Sequence, residues 1–444
     1  MTADIPEGWN DRMPWVPGNR WDLVSHREPD PPRVTVVVTH YAQPRELART
    51  LTALARQDHP ADRLEIVVAD DGSPEPPVVP DGVRLVRQDD RGFRAAAARN
   101  LGASVATGDV LCFLDADTTP EPAYVRTLTR LPALLPEAVT VGRRRHADLS
   151  GVAVDAPIAE VAPAVELDEP AWLREAYADS GDLLRADDRS YRYVISAVLA
   201  CSRALFDDVG GFDEAFCAYG GEDWEWAHRA WQAGAVLAHV PSAVAWHDGP
   251  DWAGRDDRDR AEEGNRQSLQ LAQLIPIDGS AGRGLLPGTP DLAVRVRGDL
   301  TAAAAFVCVD SILSAFPRAT VTVDAIPPGS ALSNDPRVRA DRTPLDARVV
   351  LELDVPLVIV DDAELVIALA SLSGSDVGTV ILRTTDGATV GRARSRRARR
   401  RVARWAHDEG LARRTVTVDG VHVLRPQPHV EAWVGGWGSV GRFV

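Results

Sequence analysis

The sequence predicts an α/β chain of two domains, the first built on a mostly parallel sheet with helices on both faces. Three observations carry this. At 444 residues the chain is too long for one compact core. From Val34 onward, apolar runs of strand length alternate with segments of helical spacing. A Gly/Pro-rich stretch, "DGSAGRGLLPGTP" at 278–290, then interrupts the pattern before it resumes. The expected division is an irregular arm over 1–32, a first domain over 33–277, the linker at 278–290 and a second α/β domain over 291–444.

The arm carries Trp9, Trp15 and Trp21 among Pro and Gly without periodicity, so its aromatics are expected to pin it to a domain. "VTVVVTH" from Val34 is continuously apolar, as a strand buried on both faces must be. "PRELARTLTALARQ" spaces Leu47, Leu51 and Leu54 as a helix does. Strands follow at "LEIVVADDGS" and "VRLVRQ", a helix at "FRAAAARNLGASVAT" and a strand at "DVLCFLDADTTP". In such sheets ligands sit at the carboxyl ends of strands. Thr39, Asp70, Asp71, Asp115 and Asp117 all fall there. Residues 143–190 are softer, rich in Asp, Ala and Pro, and a dense stretch runs from Tyr193 to about Gly254.

Composition excludes several classes. Forty-nine basic residues, every one Arg, against 65 acidic ones leave −16, which argues against a nucleic-acid partner. No run of eighteen uncharged apolar residues exists, so no transmembrane helix is expected. "MTADIPEGWNDRMPW" lacks the basic start and apolar run of a signal peptide. Cys112, Cys201, Cys217 and Cys308 are too few and scattered for a disulfide framework or a zinc site. A cytoplasmic protein is the expectation.

The turn after the first strand, "THYAQPRE", contains no Gly, so the pyrophosphate-binding turn of a dinucleotide fold is ruled out. In "FLDADT" the carboxylates of Asp115 and Asp117 are hard oxygen ligands suited to Mn²⁺ or Mg²⁺, although an isolated D-x-D also reads as a solvated turn. In "CAYGGEDWEWAHRAWQAGA", Gly220 and Gly221 imply a sharp turn before a helix that opens on Glu222 and Asp223. The helix macrodipole there favours ionised carboxylates, so Asp223 is expected to be charged at neutral pH. Capping alone explains the acids but not the two Gly and three Trp around them. His247 ends a strand in "AVAWHDGP"; near a metal it is a natural further ligand, and elsewhere it is an ordinary structural His.

As an ordered set, the strand-end acids, "ARN", D-x-D, GGED and strand-end His resemble the nucleotide-sugar glycosyltransferases of family 2, with the GT-A fold. The match covers about 33–255. Gly210 to His247 is similar to galactosyl- and N-acetylgalactosaminyltransferases, including chondroitin-type polymerases. The resemblance implies a metal-dependent transfer of a galactose-type hexose from a UDP-sugar donor to a carbohydrate or other hydroxyl acceptor, with inversion. It places Thr39 and Tyr41 in the base and ribose pocket, Asp70 and Asp71 near the nucleoside, and Arg99 and Asp115 on the nucleotide. Asp117 and His247 fall to the metal, and Gly220, Gly221 and Trp224 to the donor sugar. Asp223 becomes the base, with Glu222 hydrogen-bonding a sugar. Trp224 reads equally well as a core residue. A shared metal would bring the ligand atoms of Asp117 and His247 within roughly 4–5 Å. Adjacent helix residues diverge by about 100°, so only one of Glu222 and Asp223 is expected to face the anomeric carbon. His40 departs from the family pattern with no legible role; Arg91 and Arg94 depart from it too, reading either as phosphate contacts or as caps of the helix.

Other readings stay open at this stage: a retaining transferase of the polypeptide N-acetylgalactosaminyl type, a non-catalytic sugar- or nucleotide-binding module, a nucleotidyltransferase and a two-carboxylate hydrolase. The nucleotidyltransferase lacks its Gly-rich loop.

Residues 294–330 run strand, helix, strand and "GS" as 36–73 do, and "LELDVPLVIVDDAELVIALASL" parallels "CFLDADTTPEPAYVRTLTRLP". The second domain reads as either an unrelated α/β unit or a degenerate copy of the first half of the first. Pro327–Pro328 would replace Asp70–Asp71, and Pro356 would replace Asp117. "RARSRRARRRVARW" packs eight Arg between Arg392 and Arg404, reading as a peripheral contact for anionic lipid or a polyanion, or as a solvated helix paired with the protein's own acids.

Overall fold

The computed structural model describes residues 10–218, 220–250, 257–326, 329–340, 343–406 and 410–444. The reading of Trp9 and of Pro327–Pro328 lies outside the described residues. The chain divides into two compact units. One holds residues 1–231 and 235–270, the other 232–234 and 271–444. The division falls inside a helix, at 270/271, ahead of the 278–290 stretch.

In the N-terminal unit the strands are β1 (Val34–His40), β2 (Leu64–Asp70), β3 (Arg84–Arg87), β4 (Val110–Asp115), β5 (Thr118–Pro120), β6 (Ala138–Ala147), β7 (Glu166–Leu167), β8 (Val198–Ser202) and β9 (Val236–Asp248). They form one sheet in the order β3-β2-β1-β4-β8-β6-β9-β5, with β7 on β6. β3, β2, β1 and β4 are parallel, as their apolar runs predict. Beyond β4 the sheet is mixed: β8 runs antiparallel to both neighbours, while β6 and β9 are parallel. "VLACS" of β8 is buried on both faces, a pattern that reads the same in either strand direction.

Helices α1 (Pro44–Leu54), α2 (Ala95–Val105) and α3 (Tyr124–Leu134) connect the early strands. They are followed by α4 (Ile158–Val161), α5 (Ala171–Ser180), α6 (Arg203–Val209), α7 (Glu222–Gln232) and α8 (Asp257–Leu274). Pro44 opens α1 and supplies no N–H that the helix needs, while Leu47, Leu51 and Leu54 bury its inner stripe. The softer 143–190 segment is ordered around α4 and α5. The arm is pinned as expected by buried Trp15 and by Val16, Leu23 and Val24 on α3 and β9. A further clamp was not legible: fully buried Asn19 donates to the Leu183 and Leu237 carbonyls and accepts from Leu237 N–H.

The C-terminal unit contains β10 (Leu292–Val296), β11 (Thr320–Val323), β12 (Val338–Arg339), β13 (Val349–Leu353), β14 (Leu357–Ile359), β15 (Val377–Arg383), β16 (Thr389–Ser395), β17 (Ala412–Thr417) and β18 (Val421–Val423). Its helices are α9 (Ala302–Ala315), α10 (Ala363–Ala370), α11 (Arg396–Trp405) and α12 (Val430–Gly435). A single apolar core joins α9 and α10 to its sheet.

The Arg-rich run is not a free basic face. Arg392 and Arg394 lie in β16, and Arg397 and Arg401 of α11 are buried. Arg396 and Arg399 donate to the carbonyls of Asp346, Leu345 and Ala347, and burial lowers the Arg399 guanidinium to about 10. Several of these cations are thus buried or bonded within the fold, while Arg392 remains 45% exposed beside Glu352. Among the described residues no helix is long and apolar enough to cross a membrane.

Candidate active site

A cavity of about 800 Å³ opens at the carboxyl ends of β1 and β4 in the N-terminal unit. Thr39, Tyr41, Asp71, Arg99, Asp115, Asp117, Gly220, Gly221, Glu222, Asp223 and Trp224 all line it. Of the thirteen residues singled out from the sequence, Asp70 and His247 are absent from that lining.

Asp70 is fully buried below the floor. One oxygen receives His40 Nδ1 at 2.8 Å and the Ser73 hydroxyl; the other receives Ser73 N–H at 3.1 Å and pairs with Arg87 Nε at 3.0 Å. With both oxygens committed, Asp70 is a positioning residue rather than a nucleoside contact. This also explains His40: its Nε2 accepts Gln43 N–H at 3.2 Å, tying the turn after β1 to the end of β2. Asp71 does reach the cavity, accepting from Gln88 Nε2 and Arg94 N–H, and burial raises its carboxyl pKa. Gly72 has φ +82°, and a Cβ there would lie 2.3 Å from Asp90 N, so "DDGS" requires glycine. Tyr41 is 45% exposed at the rim, and Thr39 Oγ1 is buried without a hydrogen-bond partner. Arg91 pairs with exposed Asp89, and Arg94 with Glu214; neither lines the cavity.

Four side chains form a chain of charges across the floor. Buried Arg99 donates to Asp115 and to Glu222, both at 2.8 Å. The two carboxylates hold the guanidinium pKa above its ordinary value, despite burial. Arg99 and Glu222 are therefore mutually engaged while both line the cavity, and Arg99 Nε and Glu222 Oε2 make no hydrogen bond among the described residues. Asp223, one residue on, accepts only Trp224 N–H at 2.8 Å and a long contact from Ser196 N–H at 3.5 Å. Burial first, then the negative Glu222, push its pKa up to about 7, beyond what Arg99 and the two N–H groups offset. The expectation that the helix start keeps Asp223 fully ionised is thus overturned: desolvation outweighs the macrodipole.

Gly220 and Gly221 have φ +85° and +99°. A Cβ on Gly221 would sit 2.7 Å from Phe216 Cε1, so this turn admits no larger residue without displacement. Trp224 is half-buried and lines the cavity, whereas Trp226 and Trp231 are core.

Asp117 follows β4 and His247 lies near the end of β9, where Thr118 pairs with His247 across the β5–β9 ladder. Asp117 Oδ1 and His247 Nδ1 are 3.3 Å apart, inside the expected 4–5 Å. Burial alone would raise the Asp117 carboxyl; His247, Gln43 and Arg144 beside it hold it at about 2. His247 Nδ1 is buried yet makes no hydrogen bond of acceptable geometry. A nitrogen without a partner beside a carboxylate oxygen fits a divalent-ion site of mixed N/O donors. Among the described residues no group of three His, Cys, Asp or Glu gathers around one point.

Several lining residues escaped sequence reasoning. Gln43 Nε2 donates to Asp117 Oδ2 at 3.1 Å. Arg144 comes from β6, Trp172 from α5 and Gln267 from α8. Only Trp172, 50% exposed in a segment otherwise poor in aromatics, left a signal in the sequence.

Residues 35–156 match the model of glycosyl transferase family 2, and residues 186–245 match the N-terminal domain of galactosyltransferase. The chain is 30% identical over 301 residues to chondroitin synthase of Escherichia coli, covering 61% of this chain and 43% of that protein. It is 26% identical over 314 residues to hyaluronan synthase of Pasteurella multocida, covering 63% and 32%. It is 33% identical over 263 residues to validoxylamine A glucosyltransferase of Streptomyces hygroscopicus subsp. jinggangensis, covering 54% and 59%. The chain thus spans less than half the length of the two polysaccharide synthases. Among solved structures it is similar to a Pyrobaculum calidifontis mannosyltransferase in complex with GDP-Man and Mn²⁺, at TM-score 0.39 and 22% identity over 59% of this chain and 70% of that one. By sequence, residues 35–156 are thus similar to glycosyl transferase family 2 and residues 186–245 to the N-terminal domain of galactosyltransferase.

Proposed function

We propose that the N-terminal unit is a divalent-metal-dependent glycosyltransferase that moves a hexose of the galactose or N-acetylgalactosamine type from a UDP-sugar to an acceptor hydroxyl, with inversion. The observation that carries this is one cavity bordered by a potential metal pair, Asp117 and His247, and by an aspartate poised near neutrality, Asp223. The match of residues 186–245 to the N-terminal domain of galactosyltransferase supports the sugar class, and the polysaccharide synthases among its relatives support a carbohydrate acceptor.

Asp117 and His247 would hold Mn²⁺ or Mg²⁺, which neutralises charge on a leaving diphosphate. Asp223 takes the acceptor proton on its carboxylate as the new bond forms. Its pKa of about 7 is near the working pH, where a carboxylate is both available and basic enough to accept. Glu222, Arg99 and Asp115 act through Asp223: the ion-pair chain fixes the start of α7 against the end of β4. Trp224 and Trp172 offer ring faces to sugars.

The test is UDP or GDP release from a panel of nucleotide hexoses with Mn²⁺ and oligosaccharide acceptors. The proposal expects release from UDP-galactose or UDP-N-acetylgalactosamine that requires acceptor. Binding of these donors with no release across the panel would favour a non-catalytic module instead.

A further inference from the structure

The two units share a fold, strand for strand. The C-terminal sheet runs β12-β11-β10-β13-β16-β15-β17, and the N-terminal one β3-β2-β1-β4-β8-β6-β9. The directions agree at every step: three parallel pairs, two antiparallel, one parallel. The four-strand half is common to doubly wound sheets. The antiparallel strand after it and the last parallel pair are not implied by that half. Nor is the short antiparallel pair that closes each unit, β5 on the end of β9 and β14 on β18.

The registers agree as well. Val110 pairs with Ser202 and Val349 with Ser395, and each Ser then caps the next helix, accepting from Leu205 N–H and Ala398 N–H. Arg203 N–H donates to Asp109 C=O, and Arg396 N–H to Arg348 C=O. Asp248 N–H donates to Asp117 C=O at 2.9 Å, and Leu424 N–H to Pro356 C=O at 2.9 Å. These correspondences extend the internal similarity from the first half of the fold to all of it.

They also identify what stands at most site positions: Asp354 keeps the acid of Asp115, and the others change. Pro356 replaces Asp117 and Val423 replaces His247, since Leu357 pairs with Val423 as Thr118 pairs with His247. Arg297 replaces Thr39. Counting on from the β10–β11 register puts Ala325 and Ile326 at Asp70 and Asp71. Arg99 loses its element: between β12 and β13 no helix corresponds to α2 among the described residues. Ser395 caps α11 as Ser202 caps α6, and between α11 and β17 the described residues hold no helix corresponding to α7, the element that carries Glu222 and Asp223.

We propose that the C-terminal unit is a full second copy of the transferase fold that has lost its donor site, leaving one nucleotide-sugar site per chain. The single-site part rests on the proposed function above; the copy rests on topology and register alone.

Two measurements separate them. Equilibrium dialysis of UDP with Mn²⁺ against the full chain should give one site, lost in the double variant D117N/H247A. Two sites, or one that survives that variant, overturns the single-site assignment; no binding to wild type overturns the proposed function instead. The copy is tested by writing the metal pair back. In the D117N/H247A background, P356D/V423H should bind Ni²⁺ at least about tenfold more tightly than P356D alone, because an imidazole joins the carboxylate across the β14–β18 pair. A well-folded variant with no gain would show that Pro356 and Val423 do not stand where Asp117 and His247 do.

Discussion

Asp223 differs from its neighbours by what it lacks. Glu222 pairs with Arg99, whereas among the described residues Asp223 accepts from two N–H groups and makes no ion pair. Deprotonation activates a general base, so kcat/KM should rise with pH through a midpoint of about 7 and plateau above it. Asp223→Asn should lower kcat about 10²–10⁴-fold and flatten that limb, with donor affinity nearly unchanged. Near-native turnover in this variant would remove Asp223 from the role. The paired acids of "DDGS" make a second contrast. Asp70→Asn strips a charge that His40, Ser73 and Arg87 surround, and should lower stability by about 1–3 kcal/mol, read as a fall in Tm. Asp71→Asn should leave Tm closer to wild type and weaken donor binding. The reverse pattern would return Asp70 to the nucleoside. No sequence pattern separates these adjacent, buried carboxylates; which one reaches the cavity depends on how β2 meets the turn after β1.

Elements place the site with different degrees of legibility. The strand ends bearing Thr39, Asp115, Asp117 and His247 could be read because apolar runs stop where polar residues begin. What could not be read is what crosses from elsewhere. Arg144 lies mid-strand in β6, and Arg266 and Gln267 sit on α8, whose sequence is ordinary amphipathic helix. The direction of β8 was equally hidden, because a strand buried on both faces carries no polar side to orient it. Helix α5 presents exposed Trp172 at the mouth of the cavity, where an acceptor would arrive. Trp172→Ala should raise KM for the acceptor while leaving donor Kd unchanged; an equal loss for both substrates would make it a structural residue. At the start of α7, Gly221→Ala should cost about 1–3 kcal/mol, because φ +99° and the Phe216 contact oppose a side chain. Full stability in that variant would mean that the turn relaxes freely.

At the scale of the whole molecule, the Arg-rich run shows why composition misleads. Eight Arg in thirteen positions look like a surface patch in one dimension, yet β16 and the N-terminal turns of α11 bury or bond most of them. The formal net charge of −16 is a property of the whole sequence and does not reveal where its Arg residues lie. The two sheets, alike in order and register, differ in the residues at their strand ends, so function in this chain is set by the site and not by the fold. In the proposed function, Asp117 and His247 hold a metal through which the N-terminal cavity takes a UDP-sugar. Thermal unfolding with UDP and UDP-hexoses, with and without Mn²⁺, tests it most directly. A ligand at a hundred times its Kd adds about 2.7 kcal/mol to the folded state, a Tm rise of several degrees. The account predicts that rise for wild type only with Mn²⁺ present, and its loss in D117N/H247A; no rise with any UDP compound plus Mn²⁺, or an equal rise in the variant, would contradict it.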